Sequence, residues 1–228
     1  MVIDLFLWPM VIPMILPLLY CVFYKKRALI ETSIITVTMI FMVILYWPML
    51  SSNVLSGYTY YVVKVLLFVF LPLFMLLLFS RSSSVFKFSQ YGVQKEGLKK
   101  SMWWCCLFLP VMIVVTGSIF YVQGLGGDGD FFGGMLSFFE AFTEEFFFRG
   151  ILFVYLLQKT HASIAYVTSY TSFLLMHPQQ LATPFIIITL IQGLLTLEIA
   201  RRSHNIIGSW VLHGVNRFFS IALFPFLF

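Results

Sequence analysis

The stretch Glu140-Ala-Phe-Thr-Glu144-Glu145-Phe-Phe-Phe-Arg149-Gly150 sets four ionisable side chains close together in an otherwise apolar run. On a helix, Glu145 and Arg149 lie one turn apart on a shared face and are expected to pair. Glu144 falls five residues before the arginine and points away from it. The two neighbours therefore divide their work. Glu145 is expected to be held by Arg149, while Glu144 is the freer carboxylate, set among apolar groups and suited to taking a proton from water. Glu140 shares a face with Glu144 and is expected to tune it or to touch a substrate. Two histidines extend the pattern, His177 in Phe173-Leu-Leu-Met-His177 and His213 in His213-Gly-Val-Asn216-Arg217. A single histidine on an apolar helix is usually a hydrogen-bonded core residue. Two of them on separate helices, beside buried carboxylates, read as a catalytic constellation. His161 and His204 stand beside polar residues at helix ends and read as ordinary.

The elements that must carry these groups follow from composition. Of 228 residues, 61% are hydrophobic and only 10% charged, with net charge +5. That is far from the quarter or so of charged residues in a water-soluble domain. A soluble enzyme, a nucleic-acid binder and a disordered chain are excluded, and no nucleic-acid partner is expected. A helix needs about 20 apolar residues to cross the hydrocarbon. That ruler gives about eight spans: Ile3–Tyr24, Thr32–Leu50, Tyr58–Ser80, Met102–Val122, Met135–Leu157, Ala162–Pro178, Pro184–Ala200 and Ile206–Phe226. The expected architecture is an all-α, polytopic membrane helix bundle forming one domain over residues 1–228, with its catalytic half at roughly 135–219. The first run ends in Lys25-Lys26-Arg27 without a small-residue cleavage site and reads as a retained span.

The basic residues check the count. Lys25–Arg27, the Arg81–Lys100 group, Lys159, and Arg201 with Arg202 all fall on one side of an eight-span chain. The positive-inside rule then places both termini outside the cell, with the basic loops in the cytoplasm of what reads as a bacterial cytoplasmic membrane. Three cations remain inside spans: Lys64, Arg149 and Arg217. Charge within lipid is costly and usually functional. The loop Arg81–Ser101 mixes Val85, Phe86, Phe88, Tyr91 and Val93 with its lysines and reads either as an amphipathic segment on the inner leaflet or as a plain connector.

Other signals are weaker. Cys21, Cys105 and Cys106 offer neither a disulfide framework nor a metal pair. Gly127-Asp128-Gly129-Asp130 has the pattern used by intramembrane aspartyl proteases, but the other aspartate, Asp4, lies near the outer end of the first span. Gly124–Gly134 is better read as a flexible outer loop. Gly208-Ser209 reads as close helix packing and not as a nucleophile elbow. Pro9, Pro13 and Pro17 give the first span a broken character. The rival functions are a proton-coupled transporter, which would use buried Glu, Arg and His as a relay, and an inactive scaffold that holds a membrane partner.

Taken in order, Glu-Glu-x-x-x-Arg, then Phe-x-x-x-His, then a histidine followed within one turn by asparagine resembles the CPBP family of intramembrane proteases, which includes the CAAX prenyl endopeptidase and bacterial homologues implicated in bacteriocin processing. The resemblance covers roughly Met135–Phe219. It implies that Glu144 activates a water, that Glu145 and Arg149 support it, and that Phe173 and His177 form the second motif. It implies that His213 and Asn216 donate to the developing oxyanion, a contribution of about 2.7–4 kcal/mol per donor. The family usually has Asn or Asp four residues after the last histidine. Here that position is Arg217, and the asparagine comes at three. The implied partners are the lipid bilayer and a membrane-anchored, lipidated or exported peptide substrate. The family is also described as metal-dependent, and Glu144, His177 and His213 would then be the ligands of a zinc site. The absence of HExxH spacing favours a site without metal.

Overall fold

The computed structural model describes residues 5–51, 57–80 and 87–228. Asp4, Arg81, Val85 and Phe86, and the start expected for the first span, lie outside the described residues. Among those described, no strand occurs and the chain is a bundle of helices. A 3₁₀ segment, Leu5–Met14, leads into α1, Ile15–Tyr24. Pro9 and Pro13 lie inside that segment, where each removes a backbone donor and disfavours the α ladder. The broken character expected of the first span takes this form.

The bundle continues with α2 (Leu29–Ser51), α3 (Tyr58–Phe79), α4 (Leu98–Gln123) and α5 (Phe131–Glu145), which runs on as a π-helix over Phe146–Tyr155. It closes with α6 (Ala162–Leu175), α7 (Phe185–Ser203) and α8 (Ile207–Leu227). By length and composition, four stretches suffice to cross a membrane: Lys26–Tyr46, Tyr58–Phe79, Leu98–Gln123 and Ile207–Leu227. The fold is an all-α membrane bundle. Its core gathers around Phe146–Leu156, every residue of which is buried. The π-helical course of this stretch turns the aromatic cluster Phe146, Phe147 and Phe148 into contact with Tyr91, Phe68 and Phe173.

α8 packs tightly on both neighbours because two of its glycines leave room. A Cβ on Gly208 would stand 2.3 Å from the Ser101 carbonyl oxygen of α4, and one on Gly214 would stand 2.8 Å from the Phe138 carbonyl oxygen of α5. Ser209 donates to Thr196 O at 2.7 Å, so Gly208-Ser209 is a packing element.

The end that carries the lysines is stitched shut by its own loops. Phe88–Tyr91 forms a 3₁₀ turn whose Tyr91 is fully buried, with its ring 5.4 Å from those of Phe146 and Tyr155. Ile206 N donates to Gly92 O at 2.9 Å, and Asn205 Nδ2 donates to the carbonyls of Gln94 (2.6 Å) and Glu96 (3.0 Å). Gly97, with φ +71°, lies so close to Ser203 O that a Cβ would stand 2.2 Å away. Over its described part, then, the loop tucks Tyr91 inward and leaves Phe88 about half exposed. At the other end, Gly124–Gly134 is pinned to the C-terminal segment. Gly127 N donates to Pro225 O at 2.8 Å and Asp130 N to Ile221 O at 3.0 Å, which replaces the free loop expected from its glycines.

Candidate active site

The α5 carboxylates face inward at mid-helix, and each finds a cation. Arg149 Nε lies 3.2 Å from Glu145 Oε2, both fully buried. The guanidinium also donates to Gly193 O at 3.1 Å and to Thr196 Oγ1, and it lies 4.1 Å from the centroid of the Phe173 ring. The expected Glu145–Arg149 pair is present. Its other oxygen, Glu145 Oε1, takes a hydrogen bond from His213 Nδ1 at 2.8 Å. Gly214 permits this contact by letting α8 close on α5.

Glu144 is not the free carboxylate among apolar groups that the spacing suggested. Its Oε1 pairs with Lys64 Nζ of α3 and lies 3.4 Å from Arg217. The same two cations hold Glu140, Lys64 by a direct ion pair and Arg217 at 2.8 Å. Lys64, Glu140, Arg217 and Glu144 therefore form a closed ring of alternating charge, with Tyr60 O–H as a further contact of the lysine at 3.2 Å. Ion pairs removed from water hold only when geometry and partners are complete. Here Glu140, Glu144 and Glu145 are matched by Lys64, Arg149 and Arg217. Glu140 sits inside this ring, and its carboxylate side chain is 1% exposed.

The second oxygen, Glu144 Oε2, is buried and accepts no hydrogen bond from the described protein. Two ring nitrogens stand over it, His177 Nε2 at 3.7 Å and His213 Nε2 at 4.0 Å. Neither distance is a direct hydrogen bond. Each is a separation that a bridging water can span. His177 Nδ1 lies 2.9 Å from Phe173 O. A carbonyl only accepts, so Nδ1 carries a proton, and the ring turns Nε2 toward Glu144. Phe173 is fully buried, wedged against the His177 ring at 4.9 Å and the His213 ring at 6.3 Å. It orients both rings from beneath.

Asn216 and Arg217 face different ways. Position 217 turns toward the α5 carboxylates, as described. Asn216 donates from Nδ2 to Gln192 Oε1 at 2.9 Å and accepts from Thr116 Oγ1 at 2.7 Å. Glu144, His177, His213, Gln192, Asn216 and Arg217 line one cavity of about 550 Å³. Gln179, Gln180 and Phe185, at the end away from the lysine-rich loops, line it as well.

The residues do not suit a divalent metal. Glu144, His177 and His213 are the ligands a zinc site would need, yet Glu144 already faces two fixed cations. Among the described residues, no group of three His, Cys, Asp or Glu is arranged to hold an ion.

Sequence reasoning missed the partnership of Lys64 with α5, and the roles of Thr116 and Gln192. The one available signal was the arithmetic of leftover charge, since Lys64, Arg149 and Arg217 remained as span cations against three glutamates.

Three described features sit at the ring's helices. π-helical turns follow Lys64 (Leu66–Phe70), Glu145 (Phe146–Tyr155) and Arg217 (Phe219–Leu223). Such turns cluster at functional sites because they re-aim the residues beside them.

A buried carboxylate and two imidazoles, enclosed by apolar helices and lining a cavity, form an arrangement suited to activating a water. Residues 131–219 match the family described as Rce1-like, type II CAAX prenyl endopeptidase. The match over that segment supports a CPBP-type intramembrane protease and indicates a peptide hydrolase. The match runs from the start of α5 into α8, so it contains the three glutamates and both histidines but not Lys64 or Thr116. Neither the curated proteins nor the solved structures compared with this chain include a match.

Proposed function

We propose that this protein hydrolyses a peptide bond of a lipidated or exported, membrane-associated substrate, using Glu144 as the base. The carrying observation is the unpartnered Glu144 Oε2 beneath the two ring nitrogens, His177 Nε2 and His213 Nε2. A water seated there gives one proton to Glu144 while its oxygen attacks the scissile carbonyl. His177 Nε2 accepts the water's second hydrogen and fixes its direction. His213, with Nδ1 held by Glu145, presents Nε2 to the side on which the oxyanion develops. Glu144 then passes its proton to the leaving amine as the C–N bond breaks. Arg217 takes the place of the family's usual amide four residues after the histidine. Asn216 holds Gln192 at the cavity wall. Lys64 and Arg217 keep Oε1 occupied, so that Oε2 alone faces the water. The working unit is one domain, residues 1–228, since α3 and α4 complete the site.

The lining at Gln179, Gln180 and Phe185 suits a peptide arriving from the end opposite the lysine-rich loops. The test compares newly formed protein termini in the membranes of a deletion strain complemented with the wild type or with Glu144→Gln. Precursors that accumulate in the deletion strain should be processed by the wild type and remain uncut with the variant at equal abundance. Processing by Glu144→Gln would remove Glu144 as the base.

A further inference from the structure

Away from the site, a cleft of about 670 Å³ opens at the lysine-rich end between the α1–α2 turn and the turn that follows the π-helical end of α5. Four cations line it, Lys25, Lys26, Arg27 and Lys159, against one acid, Glu31. Lys159 spends its charge on Glu31 at 2.7 Å and lies 5.1 Å from the centroid of the Tyr155 ring. This fixes the two walls to each other. Lys25, Lys26 and Arg27 are exposed and make no ion pair among the described residues. The contrast is the end of α7, where Arg201 and Arg202 share Glu198 at 2.7 and 3.0 Å and Arg202 stacks 4.3 Å from the Trp104 ring. Those charges are already matched.

What reaches the cleft is written on α1. Ile12, Ile15, Leu16, Leu19, Val22 and Phe23 are exposed along one side of that segment. The repeat of three and four residues makes them a continuous apolar stripe. The stripe ends at Tyr24, 76% exposed, directly beside the three free cations. An apolar track capped by unpaired positive charge matches a molecule with a hydrocarbon tail and an anionic head.

We propose that this cleft binds the phosphodiester headgroup of an anionic phospholipid, with Lys25, Lys26 and Arg27 on the phosphate and the acyl chain along α1. Basic pockets between membrane helices hold such headgroups, and each Lys or Arg near an anionic surface adds a comparable increment of attraction. The site stands apart from the peptidase cavity and its occupancy does not depend on that reading.

The test is native mass spectrometry of the delipidated, detergent-solubilised full chain, titrated with phosphatidylglycerol or phosphatidylcholine. A single retained phosphatidylglycerol is expected, with phosphatidylcholine bound far more weakly. The variant Lys25→Gln/Lys26→Gln/Arg27→Gln should weaken phosphatidylglycerol by about a hundredfold. A control of equal charge change at the same end, Lys95→Gln/Lys99→Gln/Lys100→Gln, should leave it within about threefold. Unchanged thermal unfolding of both variants shows that the fold survives, and Lys25→Arg/Lys26→Arg should retain the lipid. Equal loss in both triple variants would overturn the proposal in favour of general surface charge. So would equal retention of the two lipids, or binding of glycerol 3-phosphate with no lipid adduct.

Discussion

Replacing Lys64 by methionine tests the charge ring most directly. The change keeps an unbranched side chain one atom shorter and removes one cation from a set in which three cations balance three carboxylates. Arg217 remains, 2.8 Å from Glu140 but 3.4 Å from Glu144. Glu144 is therefore the carboxylate left under-compensated. Removing one partner of a buried ion pair costs about 3–5 kcal/mol, because the other charge stays behind without its water. For a chain of this size each kcal/mol shifts the midpoint by about 2–4 °C, so Lys64→Met should unfold roughly 6–20 °C lower. Peptide cleavage should fall with it, since Oε1 loses its anchor and the carboxylate no longer aims Oε2 at the histidines. The decisive comparison is the double variant Lys64→Met/Glu140→Gln. It removes one charge of each sign and restores neutrality. It should recover at least half of the lost stability, because the terms are coupled and not additive. The assay is thermal unfolding of the detergent-solubilised protein, followed by intrinsic tryptophan fluorescence. A Lys64→Met midpoint within about 2 °C of wild type would refute the reasoning, as would a double variant less stable than either single one.

Arg149→Lys keeps the charge but loses the planar fork that spans Glu145, Gly193 O and the Phe173 face. It should cost about 2–4 kcal/mol in unfolding free energy and also lower cleavage through His213, whose Nδ1 leans on Glu145. Gly208→Ala drives a methyl group to 2.3 Å from Ser101 O, a backbone atom that cannot step aside. The expected loss is about 1–3 kcal/mol, read from the unfolding midpoint.

The glutamate–arginine pair was legible in sequence because it is local. Four residues on a helix fix a shared face whatever the rest of the chain does. The bundle was legible because apolar runs of span length have one way to satisfy their backbones in lipid. Lys64 was visible as a charge without a partner, but its partner lies 80 residues away, and only the packing of α3 on α5 joins them. The expectation that Glu144 stands free failed for the same reason. Asn216 and Arg217 show a finer limit. Three and four residues from His213 correspond to rotations of about −60° and +40°. Both count as the same face by spacing, yet the 100° between them sends one to Thr116 and Gln192 and the other to the carboxylates. The first segment's 3₁₀ course came from prolines that signalled a break without naming its form.

The even match of three cations and three carboxylates has a consequence for the course of the reaction. In the proposed step Glu144 becomes neutral at the moment the substrate oxygen becomes negative, so the enclosed total stays constant from the bound water to the tetrahedral adduct. A chamber this dry would oppose any step that left it with a whole unit of unbalanced charge. Moving one proton across a few ångströms redistributes what is already there. The ring of ions thus works less as cement than as a ballast that lets the chemistry proceed without importing or expelling an ion.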